Sequence, residues 1–162
     1  MTTSDASLHA WLDQEDRHTA RMIRQYGVYI QSVGGDEQSL SPPFAYTVGL
    51  FGIGHPELLA LGLDPHTAAH LLNDVAARIR DGHDLTPGEV LTFDNWSHRV
   101  TVESVPNPGQ IAFAANAFYR RPDEHSVDLL QLTCDDVDGR FPWEDGYARP
   151  AWVQPRPGEF RA

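Results

Sequence analysis

Apolar positions recur along this chain with two different periods, and the places where the period changes mark out its elements. Between Leu8 and Tyr26, the residues Leu8, Trp11, Leu12, Thr19, Met22, Ile23 and Tyr26 fall on one side of a helix among charged neighbours, and Gly27 can end it. The polar middle of this stretch makes it a peripheral helix. Val28 to Val33 then favours a strand, closed by the turn Gly34-Gly35-Asp36. Phe44 to Leu50 reads as a second strand, antiparallel to the first, and Leu58 to Leu63 as a third that is apolar throughout and hence buried on both faces.

Asp64-Pro65 is a strong helix start, because aspartate caps free amides and proline fits the first helical position. That helix should run to about Asp81 with Ala68, Leu71, Leu72, Val75, Ala76 and Ile79 inward, and Gly82 closing it. Two strands follow, near Glu89 to Phe93 and His98 to Val105, joined by the turn-like Asp94-Asn95-Trp96-Ser97. Ile111 to Tyr119 is an alanine- and aromatic-rich helix, and Asp128 to Thr133 a late strand. The order α-β-β-β-α-β-β-α-β predicts a single layered α+β domain with a mixed or antiparallel sheet and packing helices. A partly closed β-barrel with helices is the alternative. The expected boundaries are a flexible N-terminus over 1–7, the domain over 8–147 and a proline-rich C-terminal tail over 148–162.

Composition narrows the function classes. The 162 residues suffice for one domain with a true core, and a formal charge of -11 opposes the phosphate attraction behind most nucleic-acid binding. Arg120-Arg121, the only adjacent basic pair, is too little for such a footprint. One cysteine, Cys134, permits no internal disulfide, and the first residues have neither the basic region nor the apolar run of a signal peptide. No apolar run approaches a membrane span. A cytoplasmic protein with no nucleic-acid or membrane partner is expected, and its compact size and four tryptophans permit a homodimer.

The candidate chemistry centres on Phe44-Ala45-Tyr46-Thr47-Val48-Gly49-Leu50 followed by His55-Pro56-Glu57. His55 can exchange a proton near neutral pH, and Glu57 could orient it, so these two are the candidate catalytic pair. Glycines at 49, 52 and 54 permit close backbone approach, although no dinucleotide fingerprint is present. Tyr46 offers a phenolic donor, Asn73 a semi-buried amide beside the apolar stripe, Arg140 an anion partner and Trp143 a broad apolar contact; these four are the candidate ligand-binding residues. The alternative is a structural role for each: a rigid turn at His55, loop fastening by Asn73, and an aromatic tail wrapping the domain. His66 and His70 lie one helical turn apart on the solvent face without the pattern of a zinc protease, so no metal site is assigned. His98 with His55 and Glu57 could ligate iron or zinc only if their two loops meet.

Three segments together, the Phe44–Glu57 stretch, Leu71-Leu72-Asn73 and Gly139-Arg140-Phe141-Pro142-Trp143-Glu144-Asp145-Gly146-Tyr147, resemble the bacterial domain-of-unknown-function 4262 family over roughly Gly27 to Tyr147. The resemblance implies no general activity and leaves the cofactor unknown. It adds weight to the His55 turn and to the late aromatic segment. Two function classes fit the residues: a small-molecule-binding domain, with or without enzymatic activity, whose pocket lies near the His-Pro-Glu turn, and a non-catalytic interaction or structural domain.

Overall fold

A computed structural model describes residues 3–162; Met1 and Thr2, part of the expected flexible N-terminus, lie outside the described residues. The elements follow in the predicted order: α1 (Thr3–Tyr26), β1 (Tyr29–Val33), β2 (Phe44–Val48), β3 (Glu57–Leu61), α2 (Pro65–Arg80), β4 (Val90–Phe93), β5 (Trp96–Ser104), α3 (Phe113–Phe118) and β6 (Leu129–Cys134). Helix α1 thus begins several residues before Leu8. Short 3-10 turns at Phe51–Ile53, Pro108–Gln110 and Asp123–His125 complete the chain.

The strands form one six-stranded sheet in the order β1-β2-β3-β6-β5-β4. Only β3 and β6 run parallel; every other neighbouring pair is antiparallel. The sheet is therefore mixed, and it stays open, with β1 and β4 at its edges, so the barrel alternative is not realised. Central β3 and β6 are buried at every position, as strands covered on both faces are, and the polar residues among them, Glu57, Gln131 and Thr133, are buried with the rest.

Strand alternation sorts the side chains into two cores. Ala45, Leu58, Ala60, Val100, Val102 and Leu132 face α2, whose Leu71, Leu72, Val75 and Ile79 meet them. Each of these large α2 side chains contributes about 2 kcal/mol through apolar burial. Asp64 caps α2 as predicted, accepting from the Thr67 amide at 2.9 Å and the Thr67 hydroxyl at 2.7 Å. On the opposite face, Tyr46, Val48, Leu59, Leu61 and Leu129 pack with Ile111, Ala115 and Phe160.

Phe160 belongs to the proline-rich segment over 148–162, which packs against the sheet. Gln154 accepts from the Cys134 amide at 2.9 Å and donates to the Cys134 carbonyl at 3.0 Å, completing the end of β6 as a neighbouring strand would. Gly62, at φ +75°, lets the segment approach so closely that a Cβ there would lie 2.2 Å from the Val153 carbonyl oxygen. Among the described residues, no helix is long and apolar enough to cross a membrane.

Candidate functional site

The turn between β2 and β3 is organised around Glu57, whose side chain is fully buried. Its carboxylate accepts from the Thr47 hydroxyl at 2.8 Å and from the amides of Gly49, Leu50 and Phe51 at 3.0 Å each. Both oxygens thus take two donors, which fills the acceptor capacity of an ionised carboxylate. Burial pushes the carboxyl above the usual value for glutamate, and the amides and the hydroxyl pull it back. Because every one of its partners donates, the geometry is that of the ionised form. Thr47 in turn accepts from the Leu58 amide at 2.9 Å, tying the carboxylate to the first residues of β3.

His55 is also buried. Its Nδ1 lies 2.8 Å from the Pro56 carbonyl, and its Nε2 accepts from the Leu85 amide at 3.2 Å. An amide donor at Nε2 requires the neutral tautomer with the proton on Nδ1. The ring therefore clamps the β2–β3 turn to the segment that follows α2, and both nitrogens are occupied. His55 and Glu57 have no direct hydrogen bond to each other; His55 is saturated by backbone, and Glu57 by three backbone amides and the Thr47 hydroxyl.

Tyr46, on β2, accepts from the Ala114 amide at 2.8 Å and fastens α3 to the sheet. Tyr119 accepts from the Gly52 amide at 3.3 Å, and its hydroxyl is pushed up to about 12 by burial and by the Glu57 charge. The hydroxyls of both tyrosines are thus engaged with backbone amides.

The late segment forms a second constellation. Asp136 accepts from the amides of Asp138, Arg140 and Ala148, which holds its carboxyl below the usual aspartate value. Phe141 and Trp143 stack with planes 2° apart and centroids 4.9 Å apart. The Arg99 guanidinium lies over Phe141 and that of Arg156 over Trp143, at 5.0 and 4.3 Å. Arg156 also makes a two-pronged pair with Glu103 at 2.8 and 2.6 Å. The ladder straps the late segment to the outer face of β5. Arg140 is exposed, with its guanidinium reaching the Gly146 carbonyl at 3.4 Å.

Asn73 is exposed rather than semi-buried, and it stands in the third constellation. A cleft of about 860 Å³ opens between α2 and the β4–β5 turn, lined by His66, His70, Asn73, Asp94, Asn95 and Trp96, with Asp74 and Arg78 at its side. The β4–β5 hairpin reaches α2 through Arg78, which donates to the Thr92 carbonyl at 2.9 Å and lies 4.6 Å from the Phe93 ring centre. Among the described residues, the side chains of Asn73, Asp94 and Asn95 have no protein hydrogen-bond partner. His66 and His70 touch edge to face with centroids 4.5 Å apart. Next to Trp96, at 4.9 Å between ring centres, stands His98. Its Nδ1 is held at 2.8 Å by the buried Asp135, which Arg99 also engages through its amide and Nε.

Tyr46, Asn73, Arg140 and Trp143 therefore do not converge with His55 and Glu57 on one pocket. His98 is bound to Asp135 and His55 to Leu85, so the ligand set of His98, His55 and Glu57 is not assembled. Among the described residues, no three histidine, cysteine, aspartate or glutamate side chains gather as a metal site. Sequence reading did not single out Asp135 as the partner of His98, nor the meeting of Asp94-Asn95-Trp96 with α2. The signal that existed was the repeat of His66, His70, Asn73 and Asp74 along the polar side of α2. Burial pushes the Cys134 thiol up to about 12, which leaves it protonated and weakly nucleophilic near neutral pH.

No curated protein and no solved structure matches the chain. Residues 22–148, spanning the His-Pro-Glu turn, the cleft and the late aromatic segment, match the model of the Domain of unknown function (DUF4262), and the chain belongs to that family.

Proposed function

We propose that the domain binds a small polar molecule in the cleft between α2 and the β4–β5 turn. The observation that carries this reading is the gathering of unpartnered amide and carboxylate groups, Asn73, Asp94 and Asn95, around the indole of Trp96. A concave site with one aromatic wall and a few convergent polar groups is the usual form of a small-molecule site. The carboxylates and imidazoles favour a ligand rich in hydroxyl or amino donors. His98 supplies a group that can exchange protons beside Trp96: Asp135 fixes its Nδ1, and among the described residues its Nε2 has no protein partner. That arrangement supports an enzymatic version of the same reading. A lone buried thiol suits a reducing compartment such as the cytoplasm.

The test is a ligand-observed NMR screen of polar metabolites, with hits mapped by amide shift changes on the labelled protein. Hits should perturb α2 and the β4–β5 turn, and Trp96→Ala should weaken them about tenfold or more, the loss expected of a principal contact. Hits that map to the His55 turn, or that survive Trp96→Ala unchanged, would return the pocket to the position the sequence suggested or remove it altogether.

A further inference from the structure

The cleft between α2 and the β4–β5 turn already holds one cation, and it is the protein's own. The Arg78 guanidinium lies 4.6 Å from the Phe93 ring centre and pairs with Asp74 at 3.1 Å, so an aromatic ring and a carboxylate share it. It also donates to the Thr92 carbonyl at 2.9 Å. The charge of Arg78 is thereby matched within the chain.

Beside it lies a second aromatic and carboxylate pair that no cation fills. Trp96 and Asp94 line the same cleft, and Trp96 meets Phe93 edge to face at 5.6 Å between ring centres. The rings of Phe93 and His98 stand at 66° and 57° to the indole, so among the described residues no ring is stacked flat on it, and no guanidinium lies over it. Asp94 has neither a hydrogen bond nor an ion pair among the described residues. The chain contains no lysine, so none of its own side chains brings an ammonium group to this pair.

The amides of Asn73 and Asn95 and the neutral imidazoles of His66 and His70 donate as well as accept, and so set no sign on a ligand. The Asp94 carboxylate only accepts, and with Arg78 matched by Asp74 its charge is the uncompensated one in the cleft. We infer that the ligand of this cleft is an organic ammonium ion, its nitrogen held between the Trp96 indole and the Asp94 carboxylate as Arg78 is held between Phe93 and Asp74. The inference rests on the small-molecule reading of the cleft and adds the charge and chemical class of the ligand to it. A chain of net charge -11 draws such cations toward its surface. The amide oxygens of Asn73 and Asn95 suit the N–H groups of a primary ammonium, and the indole suits the methyl groups of a quaternary one.

Amide-shift titrations of the labelled full chain with matched probes test this: ethanolamine against propanol, and choline against the neutral analogue in which carbon replaces its nitrogen. Each pair shares its shape and hydroxyl and differs in charge. At least one of the cations should give saturating shifts on α2 and the β4–β5 turn, with a dissociation constant about tenfold below that of its neutral analogue. Asp94→Asn, at an exposed turn position, should weaken that cation about fivefold and leave the neutral analogue unchanged. Tighter binding of ethanolamine than of choline assigns a primary ammonium, and the reverse a quaternary one. Neutral analogues that bind in the cleft as tightly as the cations, or cations indifferent to Asp94→Asn, overturn the ammonium assignment and leave the cleft standing as a site. Shifts spread over the acidic surface without saturation, or no shift in the cleft from either cation, overturn it as well. In that case, hits of the metabolite screen that map to the cleft keep the small-molecule reading, and their absence removes both.

Discussion

Glu57 shows how one residue can carry a whole turn. A carboxylate two positions from a histidine, in a glycine-rich turn, has the composition of a proton-transfer pair, yet here it holds three backbone amides and a threonine hydroxyl. The distinction lies in whether its lone pairs are free, and in this fold they are filled. Glu57→Gln keeps the size but replaces one acceptor oxygen by an NH2 group that points at amide donors. It should destabilise the protein by about 3 kcal/mol, the cost of leaving buried donors unpaired, measured by urea denaturation. A loss below about 1 kcal/mol would show that the turn does not depend on the ionised group. Legibility at this scale was partial. The importance of the Phe44–Glu57 stretch could be read from residue types, whereas the partners of Glu57 arise because the chain doubles back and points the amides of residues 49–51 inward.

Elements were the most legible level. Local rules suffice for α2: the Asp64 cap, proline at the first helical position and the inward spacing of Leu71, Leu72, Val75 and Ile79 are all present in the structure. The same is true of the hairpin β4–β5 and the buried strands β3 and β6, whose patterns depend on their own residues. The C-terminal segment was harder, since prolines and turns have no periodicity and its anchors, Gln154 and Phe160, act singly. Gly62 marks where this segment meets the sheet. Gly62→Ala would place a Cβ against the Val153 carbonyl at a backbone conformation unfavourable for alanine. The variant should lose about 3 kcal/mol of stability, and hydrogen exchange should quicken first at Val153 and at Cys134, whose amide Gln154 covers. Uniform acceleration across the sheet, with no local onset, would mean that the segment is not a separable strap.

At the scale of the whole molecule, acid stability follows from carboxylates that backbone amides hold ionised. Asp136, Asp64 and Glu89 all have folded values below their ordinary ones, the first two through amides of their own turns and Glu89 through the Thr86 amide and His83. The Asp136 contribution is therefore complete above its ordinary value of 3.8 and disappears as the pH falls through its lower folded value. The melting temperature should fall on acidification below about pH 4, and Asp136→Asn should start lower at neutral pH and show a shallower acid limb. Parallel curves for the two proteins would remove Asp136 from the account. Relief of self-repulsion in a chain of net charge -11 works in the opposite direction over the same range, so the comparison between variants is the decisive one.

The sequence by itself determined the kind and order of the elements, the inward face of α2 and the burial of β3, because these rest on periodicity and capping that neighbouring residues carry. Tertiary structure decided the pairing of β3 with β6, the saturation of His55 and Glu57, the ladder from Arg99 to Arg156 and the cleft where the β4–β5 turn meets α2. Each of these joins residues far apart in the chain, and a hydrogen bond, a stacked ring or a cavity wall exists only once chain folding has brought its two sides together.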